Sequence, residues 1–152
     1  MKFEKTGNFF NSNHIGSYLF LFLKSYKKFL NNEIAEYDLN LIQGFCLLLI
    51  NDCNEINQKD LANGLFLTKG AVTKAFRKLE ENGWILRERH PKDKRNFSLR
   101  LSKKGEDIIP ILHEMNEKWE SKMGLEELTP EFKDTFKELT LRSVNVSLEN
   151  EL

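Results

Sequence analysis

In the run Thr68-Lys69-Gly70-Ala71-Val72-Thr73-Lys74-Ala75-Phe76-Arg77-Lys78-Leu79-Glu80-Glu81-Asn82-Gly83-Trp84, apolar residues recur at helical spacing. Val72, Ala75, Phe76 and Leu79 form the stripe that packs inward. Thr68 is placed to cap the first turn, and Gly83 after Asn82 suits the left-handed residue that closes a helix. The other face shows Lys69, Gly70, Thr73, Lys74 and Arg77, three basic groups with no acid before Glu80.

Downstream the period changes to two. Trp84 to Arg89 reads as a strand, and Phe97, Leu99 and Leu101 alternate with Ser98 and Arg100 as a second. Between them His90-Pro91-Lys92-Asp93-Lys94-Arg95 makes a polar, basic hairpin tip, so the pair forms a wing. Beyond Ser102 the helical period returns with Ile108, Ile111, Leu112, Met115 and Trp119, and Pro110 inside it predicts a bend. Thr129-Pro130 starts a last, short helix with Phe132, Phe136, Leu139 and Ser143 on one side.

Upstream, Asn57 is a candidate cap for a short helix with Leu61, Ala62 and Leu65 facing inward, and Ile56 with Leu61 is spaced as a hydrophobic staple. Asn40 and Gln43 are spaced as a capping box for a helix whose stripe is Ile42, Phe45, Cys46 and Leu49. Ile15, Tyr18, Leu19, Phe22, Leu23, Tyr26, Phe29 and Leu30 mark a strongly amphipathic helix over about 13–32. Phe20 and Leu21 lie off that stripe, so the helix carries more apolar surface than its own core uses. The expected fold is mainly α, an α+β winged helix-turn-helix. It has about six helices, a two- to three-stranded β wing, and terminal helices that form a dimerisation region. Residues 35–104 make the winged domain, and 1–34 with 105–152 the helical region.

The chain of 152 residues has 23 basic and 23 acidic side chains, but they are not mixed evenly. Residues 59–104 carry 13 basic against 5 acidic groups, net +8, while 105–152 are net −7. A basic segment in a neutral protein points to a polyanion partner for one face. A 40% hydrophobic content with 12 Phe excludes a disordered chain. Two cysteines are too few for a disulfide framework, which points to a reducing cytoplasm. No apolar run approaches the roughly 20 residues of a membrane span, and no signal peptide is visible.

Chemistry beyond polyanion binding finds little purchase. His14, His90 and His113 are dispersed, with no Cys or carboxylate at ligand spacing, so no metal site and no cofactor are expected. No nucleophile–base pairing or phosphate-binding loop is present, and the chain reads as no enzyme. Cys46 belongs to the apolar stripe, and Cys53 lacks a basic neighbour to lower its pKa. Seven residues of helix place their Cα atoms about 10 Å apart, too far for a direct bridge.

Taken together, Leu61-Ala62, Thr68 to Lys74, Leu79-Glu80-Glu81-Asn82-Gly83-Trp84-Ile85-Leu86-Arg87, the wing Asp93-Lys94-Arg95 and Leu101-Ser102-Lys103-Lys104-Gly105 resemble the MarR family of transcriptional regulators. The motif detail covers about 39–105. The resemblance implies a cytoplasmic homodimer joined by terminal helices, about 8–32 and 105–148. It reads a pseudo-palindromic operator in double-stranded DNA, with its two recognition helices roughly 34 Å apart. It further implies a repressor released by a small aromatic or phenolic effector. On this reading Thr68, Lys69, Gly70, Thr73, Lys74 and Arg77 face the major groove, and Lys92, Lys94 and Arg95 the minor groove. Asp93 orients neighbouring Arg side chains, with Arg87 in the same supporting role. Tyr18, Phe22 and Arg87 are candidates for an effector cleft. Phe66 stands in the helix-turn-helix turn where the family often has Gly, which points to a different turn. Two other readings are a winged-helix scaffold for protein interaction without DNA binding and a regulator that senses oxidants through cysteine.

Overall fold

The computed structural model describes residues 14–53, 56, 58–89 and 97–149. They form six α-helices and a two-stranded antiparallel sheet, the winged helix-turn-helix arrangement expected. In chain order these are α1 (Ile15–Ile34), α2 (Leu41–Asp52), α3 (Gln58–Gly64), α4 (Lys69–Glu81), β1 (Ile85–Arg89), β2 (Phe97–Leu101), α5 (Lys103–Lys122) and α6 (Pro130–Glu149). The chain separates into two compact units, Met1–Glu117 and Lys118–Leu152. The first therefore includes α1 as well as the winged elements, a division by packing rather than by role.

The core of the first unit gathers Leu30 and Ile34 of α1, Cys46, Leu47 and Ile50 of α2, and Leu61 of α3. Val72, Phe76 and Leu79 of α4, Ile85 and Leu99 of the strands, and Ile108 and Leu112 of α5 also belong to it. The stripe expected on α2 held at Cys46, which is fully buried, and not at its other positions. Ile42 is exposed and Phe45 and Leu49 are only half-buried, whereas Gly44, Leu47 and Ile50 are buried. Apolar residues encircle this helix, so its period does not single out one face; α1, α4, α5 and β2 decide which side is covered. Gly44 has a specific reason. A Cβ there would stand 2.8 Å from Ile34 Cδ1, so the glycine lets α1 and α2 approach.

The capping box at Asn40 is complete. Its side chain accepts from Gln43 N at 3.1 Å, and Gln43 Oε1 accepts from Asn40 N at 2.9 Å. Ile56 and Leu61 are both buried, as a staple requires, while Asn57 lies outside the described residues. Ile56 also bridges to Leu99, so a third strand is reduced to one residue. The β1–β2 register pairs Ile85 with Leu101 and Arg89 with Phe97. α5 runs unbroken through Pro110. α6 is twenty residues long, not short as the sequence suggested. Its Thr129 hydroxyl accepts from Phe132 N at 3.3 Å and Pro130 takes the first helical position, where no amide needs a partner.

Two helices end in the same device. At the end of α4, Trp84 N donates to Leu79 O at 2.8 Å and Gly83 N to Glu80 O at 3.0 Å. At the end of α3, Leu67 N donates to Ala62 O at 3.0 Å and Phe66 N to Asn63 O at 3.2 Å. Both patterns are Schellman motifs, and both need a left-handed residue at the fifth position. Gly83 supplies φ 72° without strain; Phe66 supplies φ 51° despite its Cβ. The turn expected to change has kept its geometry, at a cost of roughly 1–2 kcal/mol in the backbone of Phe66.

Candidate nucleic-acid interface

The helix-turn-helix is α3, the Leu65–Leu67 turn and α4. α4 starts because Thr68 is extended (φ −64°, ψ 149°) and its Oγ1 accepts from Ala71 N at 3.3 Å. Val72, Ala75, Phe76 and Leu79 are all buried, which fixes the rotation of the helix. Lys69, Gly70, Thr73, Lys74 and Arg77 are thereby turned to solvent together. A Cβ at Gly70 would meet open space, so nothing among the described residues requires glycine there.

The exposed groups differ in how they are held. Thr73 Oγ1 donates to Lys69 O at 2.8 Å, so its hydroxyl proton is engaged with the helix while its lone pairs face outward. Arg77 Nε lies 3.6 Å from Glu81 Oε1, an exposed pair one turn apart. Such pairs contribute at most about 1 kcal/mol, so the guanidinium is easily recruited elsewhere. Lys74 also lines a broad cleft of about 590 Å³, shared with Lys78 on α4, with Asp38 and Asn40 ahead of α2 and with Gln43 in its first turn. Lys78 was not singled out in the sequence, because it stands beside the basic stripe; the cleft is what joins it to Lys74.

On the wing, Arg100 meets Glu88 at 2.6 Å across the strands, and both are exposed. Arg87 is exposed opposite Leu99. Lys92, Asp93, Lys94 and Arg95 lie outside the described residues. The C-terminus of α4 is tied down more firmly. Lys104 Nζ donates to Asn82 O at 2.9 Å and sits 3.8 Å from the centre of the Trp84 ring. Asn82 Nδ2 donates to Asp38 Oδ2 at 3.4 Å, and Ser102 Oγ donates to Gly83 O at 2.6 Å.

Tyr18 and Phe22 are exposed on α1. The cavity between α1, α2 and α5 is lined by Leu30, Ile34, Phe45, Leu112, Met115 and Asn116 rather than by Tyr18, Phe22 or Arg87. Its volume is about 20 Å³, room for one water. Cys46 is fully buried, and burial pushes its thiol up to about 12, away from thiolate chemistry. Among the described residues, no three His, Cys, Asp or Glu side chains come together as a metal-holding group, and no helix is long and apolar enough to cross a membrane.

The MarR family model matches residues 39–97, a span that includes the helix-turn-helix and β1. The HTH-type transcriptional regulator SarZ of Staphylococcus aureus (strain USA300) is 33% identical over 102 residues, covering 65% of this chain and 69% of that protein. A crystal structure of MarR superposes with a TM-score of 0.76 at 28% identity, over 93% of this chain and 95% of that one. A mutant MarR from E. coli complexed with operator DNA has the same fold, with a TM-score of 0.72 at 22% identity over 85% and 92% of the two chains. By sequence and by fold, the chain belongs to the MarR family of transcriptional regulators.

Proposed function

We propose that the chain is a homodimeric regulator that binds a pseudo-palindromic operator in double-stranded DNA, with α4 in the major groove and the wing in the minor groove. The observation that carries this reading is the exposed face of α4. The buried stripe holds Lys69, Thr73, Lys74 and Arg77 outward together, in a segment of net +8. A protein-interaction scaffold would instead present an apolar or acidic face there. Dimerisation is supported by apolar surface left uncovered: Ile15, Leu19, Phe20 and Leu23 on α1, and Phe132, Phe136, Leu139 and Val146 on α6. In this reading the terminal helices hold two copies together, and residues 35–104 of each engage DNA. Repression relieved by a small aromatic effector is the mode of control the resemblance supplies. An effector seated between α1, α2 and α5 has to open a cavity that now holds at most one water.

Selection of binding sites from random duplexes tests this directly. Arg77→Ala should cost about 1–3 kcal/mol on the selected duplex and much less on a scrambled one. Arg95→Ala should weaken both duplexes by a similar factor and flatten the salt dependence by about one unit of slope. Unchanged affinity for both variants on both duplexes would sink the DNA-binding reading in favour of a scaffold.

A further inference from the structure

Phe66 is the one residue of the helix-turn-helix turn whose position and chemistry disagree. It occupies the left-handed place of a Schellman motif, where Gly83 stands in the matching motif of α4. Its neighbours Leu65 and Leu67 are half-buried and pack on the core, whereas Phe66 is 51% exposed and takes no part in that cluster. The backbone is held on both sides, by Phe66 N to Asn63 O and Leu67 N to Ala62 O, so the ring is presented from a fixed point. That point is two residues before Thr68, the cap of α4, and three before Lys69. In a helix-turn-helix the start of the recognition helix is the part that enters the major groove. A residue just ahead of it stands at the edge of the groove, where the apolar surfaces offered are the deoxyribose of the wall and the thymine methyl groups of the base edges.

We infer that Phe66 is an apolar contact to duplex DNA, seated at the edge of the groove beside the Thr68 end of α4. The inference rests on the DNA-binding reading above and adds to it a neutral contact among basic ones. A neutral side chain releases no counterions, so its contribution is independent of salt, unlike that of Arg77 or Lys74.

The experiment uses the full chain and a duplex selected by the unaltered protein from a random pool. Phe66→Gly and Phe66→Leu are titrated against that duplex, and against a copy with deoxyuridine in place of thymidine, at two salt concentrations. Phe66→Gly should weaken binding by about five- to tenfold with the salt slope unchanged, and Phe66→Leu should retain part of the contact. If the deoxyuridine copy already carries the loss, so that Phe66→Gly adds nothing, the ring meets thymine methyls; an additive loss places it on deoxyribose. Affinity within twofold of the unaltered protein overturns the inference while leaving the DNA-binding reading intact. A loss accompanied by a flattened salt slope also overturns it, because α4 has then shifted and taken the phosphate contacts with it. If the unaltered chain selects no duplex, the DNA-binding reading falls and the inference with it.

Discussion

In α2 the side chains of Cys46 and Leu47 have lost all contact with solvent, whereas every residue of α6 from Pro130 to Ser143 is exposed. The two helices differ in how their apolar residues are distributed. α2 is apolar around most of its circumference and is enclosed by α1, α4, α5 and β2. α6 places Phe132, Phe136, Leu139 and Val146 along one side, with the Phe132 and Phe136 rings 6.3 Å apart, and nothing of its own unit buries them. A striped helix of twenty residues with no buried side chain among those described gains little from folding by itself. The contrast separates a helix stabilised within the chain from one that, on the proposed dimer, is stabilised by a second copy.

The largest effect should come from the enclosed helix. Leu47→Ala opens a cavity in the buried core cluster and should lower the free energy of unfolding by about 2–5 kcal/mol. Denaturant melts should show the same loss at every protein concentration. Phe136→Glu on α6 should leave that intrinsic stability nearly unchanged and instead raise the dissociation constant of the dimer by about 10- to 100-fold. Sedimentation over a concentration series checks it; a variant as dimeric as its parent would mean that α6 is covered by something other than a second copy.

Smaller effects separate the middle of α2 from its C-terminal cap. Cys46 should resist a thiol reagent until the protein unfolds, while half-buried Cys53 reacts in the folded state, so labelling should rise from one to two thiols per chain on denaturation. The raised pKa of Cys46 also sets a pH dependence. The folded form keeps its proton up to about 12, whereas the unfolded thiol releases it near 8.5. The contribution is therefore complete below about 8.5 and lost as pH rises toward 12, with a slope of at most about 1.4 kcal/mol per pH unit. Alkaline melts of Cys46→Ala should lack this term. The least costly change is at a surface cap: Thr68→Ala should lower stability by about 1 kcal/mol, read as a small drop in melting temperature.

Elements with one clean stripe and a clear cap were readable from the residues. The buried set of α4, the Asn40–Gln43 capping box and the left-handed Gly83 follow from side-chain chemistry within a few positions. α2 was readable as a helix but not as to which side is covered, because an almost uniformly apolar helix takes its orientation from its neighbours. The turn at Phe66 failed for a different reason. Propensity forbids a bulky left-handed residue, yet the two hydrogen bonds of the motif and the anchoring of Leu65 and Leu67 override it. Of the candidate interface, the stripe on α4 was legible because charge and period coincide there. The link from Lys104 to Asn82 joins residues 22 apart, and no local pattern announces it.

That link has a mechanical consequence. α4 is held at its far end, where Asn82 meets Asp38 from the segment after α1 and Lys104 from the first turn of α5. Thirteen residues of helix, about 20 Å, separate this fastening from the Thr68 end. Between those two points Val72, Ala75, Phe76 and Leu79 are buried, so the core grips the helix along its whole length. A tilt of about 5° at the C-terminus sweeps the Thr68 end through nearly 2 Å, by simple proportion to a length of about 20 Å, and drags Val72 out of its packing on the way. The helix therefore moves as one piece with the core: a displacement at Asn82 reaches the Thr68 end only together with the residues packed beneath it.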